Sequence, residues 1–189
     1  MIMEFRFTKT PVKNRGVAPD SFLSEIIEWS RTAPMELFAP NPEPADIYVA
    51  VKPILGPWES NEHRRAVMLE VMRVHAGFES SWNWNEGVDK TNQTSMTHRE
   101  GEETGIFQVS YDSTWIANNR MKTFAREHEI DTPALFIAKM KCDHKFALEY
   151  YARLVRFNVR WAGPILRHEI DEWLSRRSVA EFQELIANA

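Results

Sequence analysis

A mainly α domain with at most a small β element is what this 189-residue sequence predicts, on three observations. Apolar residues recur at helical spacing through most of the chain, and alternation of the kind that marks a half-buried strand is scarce. Six of the ten prolines fall within one segment, 33–58, so the rest of the chain is largely free of helix breakers. No Gly/Ser linker, internal repeat or low-complexity tract divides it, and 43% hydrophobic residues over this length suffice for one core.

Residues 1–19 read as an extended arm. Asp20 and Ser21 are N-cap candidates for the helix "SFLSEIIEWSRTA", in which Phe22, Leu23, Ile26, Ile27 and Trp29 share a face. The proline-rich segment reads as an irregular wrapping stretch with a short extended piece at "DIYVAV", and Leu37, Phe38, Ile47, Tyr48, Val49 and Trp58 tie it to the core. A strong helix starts at Asn61, "NEHRRAVMLEVMRVHAGFES". A polar loop over 85–104 precedes "GIFQVSYDSTW", and Trp115, Ile116, Met121, Phe124 and Ala125 suggest a helix after it. Thr132 and Pro133, an N-cap and N1 pair, open a helical stretch to about 156. "WAGP" at 161–164 breaks it, Pro164 starts another helix, and Ser178 with Glu181 reads as a capping box for the last. The whole is expected to be compact, with residues 1–60 as an extension and 61–189 as the main domain.

Net charge is −4, which gives no electrostatic reason to expect nucleic acid or an anionic membrane as partner. One cysteine, Cys142, excludes an intramolecular disulfide. The N-terminal "MIMEFRFTKTPVKNRG" lacks the apolar core of a signal peptide, and no apolar run approaches membrane-spanning length. No membrane insertion is expected. Cys142-x-His144 lacks partners at zinc-site spacing, so neither metal nor cofactor is expected.

The chemistry concentrates around "HAGFESSWNW", 75–84. Met68, Met72, His75 and Glu79 fall at i, i+4, i+7 and i+11, so Glu79 continues an apolar stripe. A carboxylate there loses water, which favours its protonated form, the starting state of a general acid. The competing reading is a helix-end residue turned to solvent or paired with an arginine such as Arg73. Trp82 and Trp84 offer flat indole faces for stacking on sugars, or else core packing. Asp89, Glu86, Glu102 and Glu103 supply further carboxylates of the kind an inverting hydrolase needs across its cleft. In "GIFQVS", Gly105 permits close backbone approach, Phe107 fills a core position and Gln108 offers a donor and an acceptor. His75, one turn before Glu79, is placed either as a core histidine or to tune the glutamate's acidity.

The order "GFESSWNW…ETGIFQVS" resembles soluble lytic transglycosylases and goose-type lysozymes, and "NEGVDK" resembles the Asp-bearing loop of the goose-type enzymes. "EYYARLVRFNVRWAGPIL" (149–166) is similar to the late stretch that lines the family's sugar cleft. The resemblance covers roughly 61–170. It implies a lysozyme-like α-helical fold acting on the β-1,4 glycan of peptidoglycan between MurNAc and GlcNAc, with Glu79 as general acid. Gly105, Phe107 and Gln108 would floor the cleft, Asp89 would position water, and Tyr151 and Trp161 would line the subsites. The chain departs from the pattern in a longer Glu79–Gly105 interval, in Glu103-Thr104 where small residues are usual, and in "RFNVRWAGP" where a tyrosine-containing motif normally sits. Glu103 could then be a second catalytic carboxylate, making the enzyme a hydrolase (muramidase) rather than a lytic transglycosylase. Two alternatives stay open: an inactive lysozyme-like glycan-binding module, and a chitinase-type glycosidase. Lacking a signal peptide, such an enzyme is expected to be made in the cytoplasm and reach the wall by non-classical release or injection, as a phage endolysin or a secreted toxin. For the toxin, an immunity or inhibitor protein plugging the cleft is the expected partner.

Overall fold

The computed structural model describes residues 4–40, 46–87, 99–117 and 119–188. It is mainly helical: α1 (Asp20–Thr32), α2 (Ile47–Leu55), α3 (Asn61–Ser80), α4 (Arg120–Glu127), α5 (Pro133–Cys142), α6 (His144–Asn158), α7 (Gly163–Leu166) and α8 (Arg176–Ala187). Short 3-10 turns join several of them. Among the described residues the only β pairing is an isolated antiparallel bridge between Thr104 and Val109.

Helix α3 is the centre. Ser60 caps it by accepting from the His63 N–H at 3.1 Å, and its apolar residues Val67, Met68, Val71, Met72 and Val74 are all fully buried. Its most extensive neighbour is α8, and α1 packs against both, so residues on either side of position 60 share one core. Because α3 is wrapped on all sides, it also buries two charges. Arg73 grips Glu70 through Nε and Nη2 (2.7 and 2.8 Å) and donates to the Thr10 and Trp173 carbonyls. The Ser175 N–H supplies a further bond to Glu70. Burial pushes the Glu70 carboxyl upward, and the Arg73 guanidinium and these bonds pull it back. Arg73 is thus committed to Glu70, not to Glu79.

Several local expectations are corrected. "DIYVAV" is not extended: it opens α2, because Asp46 caps the Val49 N–H at 2.9 Å while its other oxygen holds the buried Arg156 at 2.6 Å. That tertiary anchor overrides the strand preference of the β-branched residues. The helical stretch from Pro133 begins as expected, with Thr132 accepting from the Leu135 N–H, but it is two helices. Asp143 ends α5 and caps α6 through the Phe146 N–H at 3.0 Å. Helix α1 starts at Asp20, behind Pro19, with no side-chain cap. Ser178 and Glu181 do not form a capping box; Ser175 is the N-cap of α8. Glu181 instead accepts the Arg6 and Thr8 backbone N–H groups, both at 2.7 Å, and the Ser178 hydroxyl donates to the Phe7 carbonyl. The supposed arm is therefore docked, with a 3-10 turn over Phe7–Lys9 clamped on α8.

Candidate active site

Helix α3 ends abruptly. Ser81 and Trp82 both take left-handed backbone angles (φ 55° and 60°), and their N–H groups return to the Gly77 and Ala76 carbonyls. The reversal lays the Trp82 indole on Gly77, where a Cβ would come within 2.5 Å of the ring, and the indole N–H donates to the Arg73 carbonyl at 2.9 Å. Trp82 is core, not a sugar platform. Trp84 is also directed elsewhere: it stacks on His144 with centroids 3.8 Å apart, beside Phe22, and His144 bonds Glu25. The expectation of two stacking tryptophans beside Glu79 is overturned by these contacts.

The other half of the motif folds back onto α3. Thr104 and Val109 exchange both backbone hydrogen bonds at 3.1 Å, enclosing a tight turn of Gly105, Ile106, Phe107 and Gln108. Gly105 sits at φ 71°, which strains any other residue, and a Cβ there would crowd the Met140 carbonyl at 3.3 Å. Gln108 folds its amide back on the Gly105 carbonyl at 2.9 Å. The Ser80 hydroxyl, bonded to the Ile106 carbonyl at 2.7 Å, latches the turn to the end of α3. The "ES" pair therefore divides its labour: the glutamate faces a cleft and the serine fixes that cleft's floor.

The cleft measures about 470 Å³ and brings together Glu79, Glu103, Phe107, Gln108, Tyr151 and Trp161. That is an ordinary size for a small-ligand site. Gly105 lies beneath, buried in the turn. Tyr151 is buried and contributes to the floor, its ring stacked on Phe107 at 3.9 Å, while Trp161 stays 41% exposed at the wall. Asp89 lies outside the described residues. Sequence reasoning missed Ser110, Arg167 and Glu169 as lining residues. Ser110 directly follows the "GIFQV" turn, but nothing in the local pattern around Arg167 and Glu169 marks them.

Glu79 is held from behind. His75 Nε2 lies 3.1 Å from Glu79 Oε1, and His75 Nδ1 lies 2.7 Å from the Tyr151 hydroxyl. Hydrogen placement follows from the donor and acceptor inventory. Burial, with the Glu79 charge beside it, holds the Tyr151 phenol well above its ordinary range, so it keeps its hydrogen. The described residues offer that hydrogen one acceptor, His75 Nδ1. Neutral His75 must then carry its own hydrogen on Nε2 and donate to Oε1. In the acid form of Glu79 the proton consequently sits on Oε2, the oxygen left without a bond from the described residues. With the carboxyl side chain 24% exposed, that proton has access to the cleft.

Among the described residues no group of three or more His, Cys, Asp or Glu is arranged to hold a metal ion, and no helix is long and apolar enough to cross a membrane. No protein-family model, curated protein or solved structure matches this chain.

Proposed function

We propose that this protein cleaves the glycan strands of peptidoglycan at the β-1,4 bond between MurNAc and GlcNAc, as a lysozyme-like enzyme with Glu79 as the general acid. The observation that carries the reading is the Tyr151–His75–Glu79 chain, which holds one carboxyl oxygen of Glu79 at a cleft that also contains Glu103. Glu79 passes its Oε2 proton to the glycosidic oxygen as the bond to the sugar C1 breaks. Glu103 takes a proton from a water whose oxygen bonds to C1 from the opposite face, so the product sugar has a free reducing end. Solvent then returns the proton from Glu103 to Glu79, and the net change is addition of one water. Gln108 and Trp161 orient the sugars, the first by hydrogen bonding and the second by its exposed indole face.

Digestion of purified sacculi followed by mass spectrometry tests both parts. The wild-type protein should release muropeptides with reducing ends, and Glu79→Gln should release none while melting at the same temperature. Undiminished lysis by Glu79→Gln would sink the reading. Products one water lighter (1,6-anhydro sugars) would keep Glu79 as acid but remove Glu103 from its role, since a lytic transglycosylase uses the substrate's own hydroxyl as nucleophile. An inhibitor protein that occupies this cleft would block both chemistries.

A further inference from the structure

The cleft has a charged rim that the chemistry above does not use. Arg167 is gripped by Glu169 in a two-point pair, Nε to Oε1 at 2.7 Å and Nη2 to Oε2 at 3.2 Å. Its remaining amino group, Nη1, lies over Gly163, where a Cβ would stand 2.5 Å from it. Glycine at this position is what lets the guanidinium lie across the cleft edge. A second cation arrives from the docked N-terminal segment: Lys13 Nζ sits 4.4 Å above the ring of Phe78, itself a cleft residue. Lys13 and Arg167 both act electrostatically on Glu169, and the field of Glu79 reaches Arg167. The rim thus carries two cations, Arg167 paired with Glu169 and Lys13 held on Phe78, beside a cleft whose other charged groups include Glu79 and Glu103.

We propose that Lys13 and Arg167 form an anion subsite at the cleft rim that binds a carboxylate carried by the glycan, and so select carboxylated muramyl chains over uncharged chitin. This rests on the reading of the cleft as a peptidoglycan site. Guanidinium recognises carboxylate through paired N–H groups; Glu169 takes the Nε–Nη2 edge of Arg167 and fixes its plane, so an incoming carboxylate meets the Nη1 and outer Nη2 N–H groups. It also assigns a role to residues before position 60: they deliver Lys13. Two parts of the substrate carry the required group, the lactyl ether of a peptide-free muramic acid and the stem peptide.

The experiment measures binding in the Glu79→Gln background, so that turnover does not intervene, with three probes: peptide-bearing glycan, amidase-stripped glycan and chitohexaose. The parent variant should bind a carboxylated glycan about tenfold more tightly than chitohexaose. Lys13→Gln with Arg167→Gln should abolish that preference and flatten its salt dependence, leaving chitohexaose affinity unchanged. Preference for the stripped glycan assigns the lactyl carboxylate, and preference confined to peptide-bearing glycan assigns the stem peptide; either supports the subsite. Gly163→Ala keeps both charges but displaces the guanidinium, and should reduce the preference by part of the same amount. Equal loss on all three probes, or no loss on any, overturns the proposal, as does failure of the parent to bind any of them. Because binding is read separately from cleavage, a wild-type protein that fails to cut sacculi yet shows the rim-dependent preference would refute the catalytic reading while supporting the subsite.

Discussion

Two glutamates sit on one helix and live opposite lives. Glu70 and Glu79 both lie on α3, yet Glu70 is fully buried among the Arg73 guanidinium and the Ser175 N–H, while Glu79 reaches a cleft with one oxygen bonded to His75. Both oxygens of Glu70 are answered by the Arg73 guanidinium, and one also by a backbone donor. Among the described residues, Glu79 is answered on one side only. The difference teaches what the proposed reading asks of a carboxylate: Glu70 is immobilised by a cation and a backbone donor, and Glu79 is held at one oxygen beside a cleft.

The largest test of that contrast is on Glu79 itself. Glu79→Gln should lower sacculus clearing about a thousandfold, with no loss of melting temperature, because the amide keeps the His75 contact. Arg73→Met attacks the other member. It strands Glu70 in the core and should cost about 3–5 kcal/mol of stability in urea unfolding, with remaining activity following the folded fraction. If Arg73→Met abolished activity in protein that stayed fully folded, the division between the two glutamates would be wrong.

A smaller effect sharpens the Glu79 side. Tyr151→Phe removes the hydroxyl that fixes the His75 tautomer, and so frees the proton to redistribute between the two Glu79 oxygens. The expected loss is about tenfold in kcat, the worth of one hydrogen bond, with KM nearly unchanged and the pH profile displaced. A pure packing role would leave that profile where it was. The smallest effect belongs to a third acid, Asp143. Against the effect of its partial burial, the Phe146 N–H and Lys139 hold its carboxyl below the usual range. A carboxyl lowered on folding stabilises above its unfolded range, and that contribution fades as pH falls through the folded value. Asp143→Ala should cost about 1 kcal/mol at neutral pH, and the gap to wild type should close in acid, as thermal melts across pH would record.

The sequence made these two glutamates only partly distinguishable. Helical phase puts Glu79 on the Met68, Met72 and His75 stripe, and the "ES" and "GIFQ" fragments meet at one cleft, each shaped by contacts over a few residues. The N-cap of Thr132 was legible for the same reason. What escaped was set by partners far along the chain. Trp82 became core because Gly77 leaves a slot for it. Asp46 made a helix of "DIYVAV" by anchoring on Arg156. Glu181 looked like a cap and turned out to fasten residues 6–8. Lys13 reaches the ring of Phe78 from a segment whose docking, through Glu181, no local pattern announces.

The same fastening sets an order of assembly. Helix α3 finds its most extensive support in α8, and α8 is synthesised last of the elements that touch it. Without α8, α3 lacks that flank and residues 6–8 lack the carboxylate that holds their N–H groups. The contact between residues 6–8 and Glu181 closes nearly the whole described chain into a loop, and its hydrogen bonds offset the entropy of that closure. The segment that carries Lys13 is thus held in place by a contact between elements far apart in sequence.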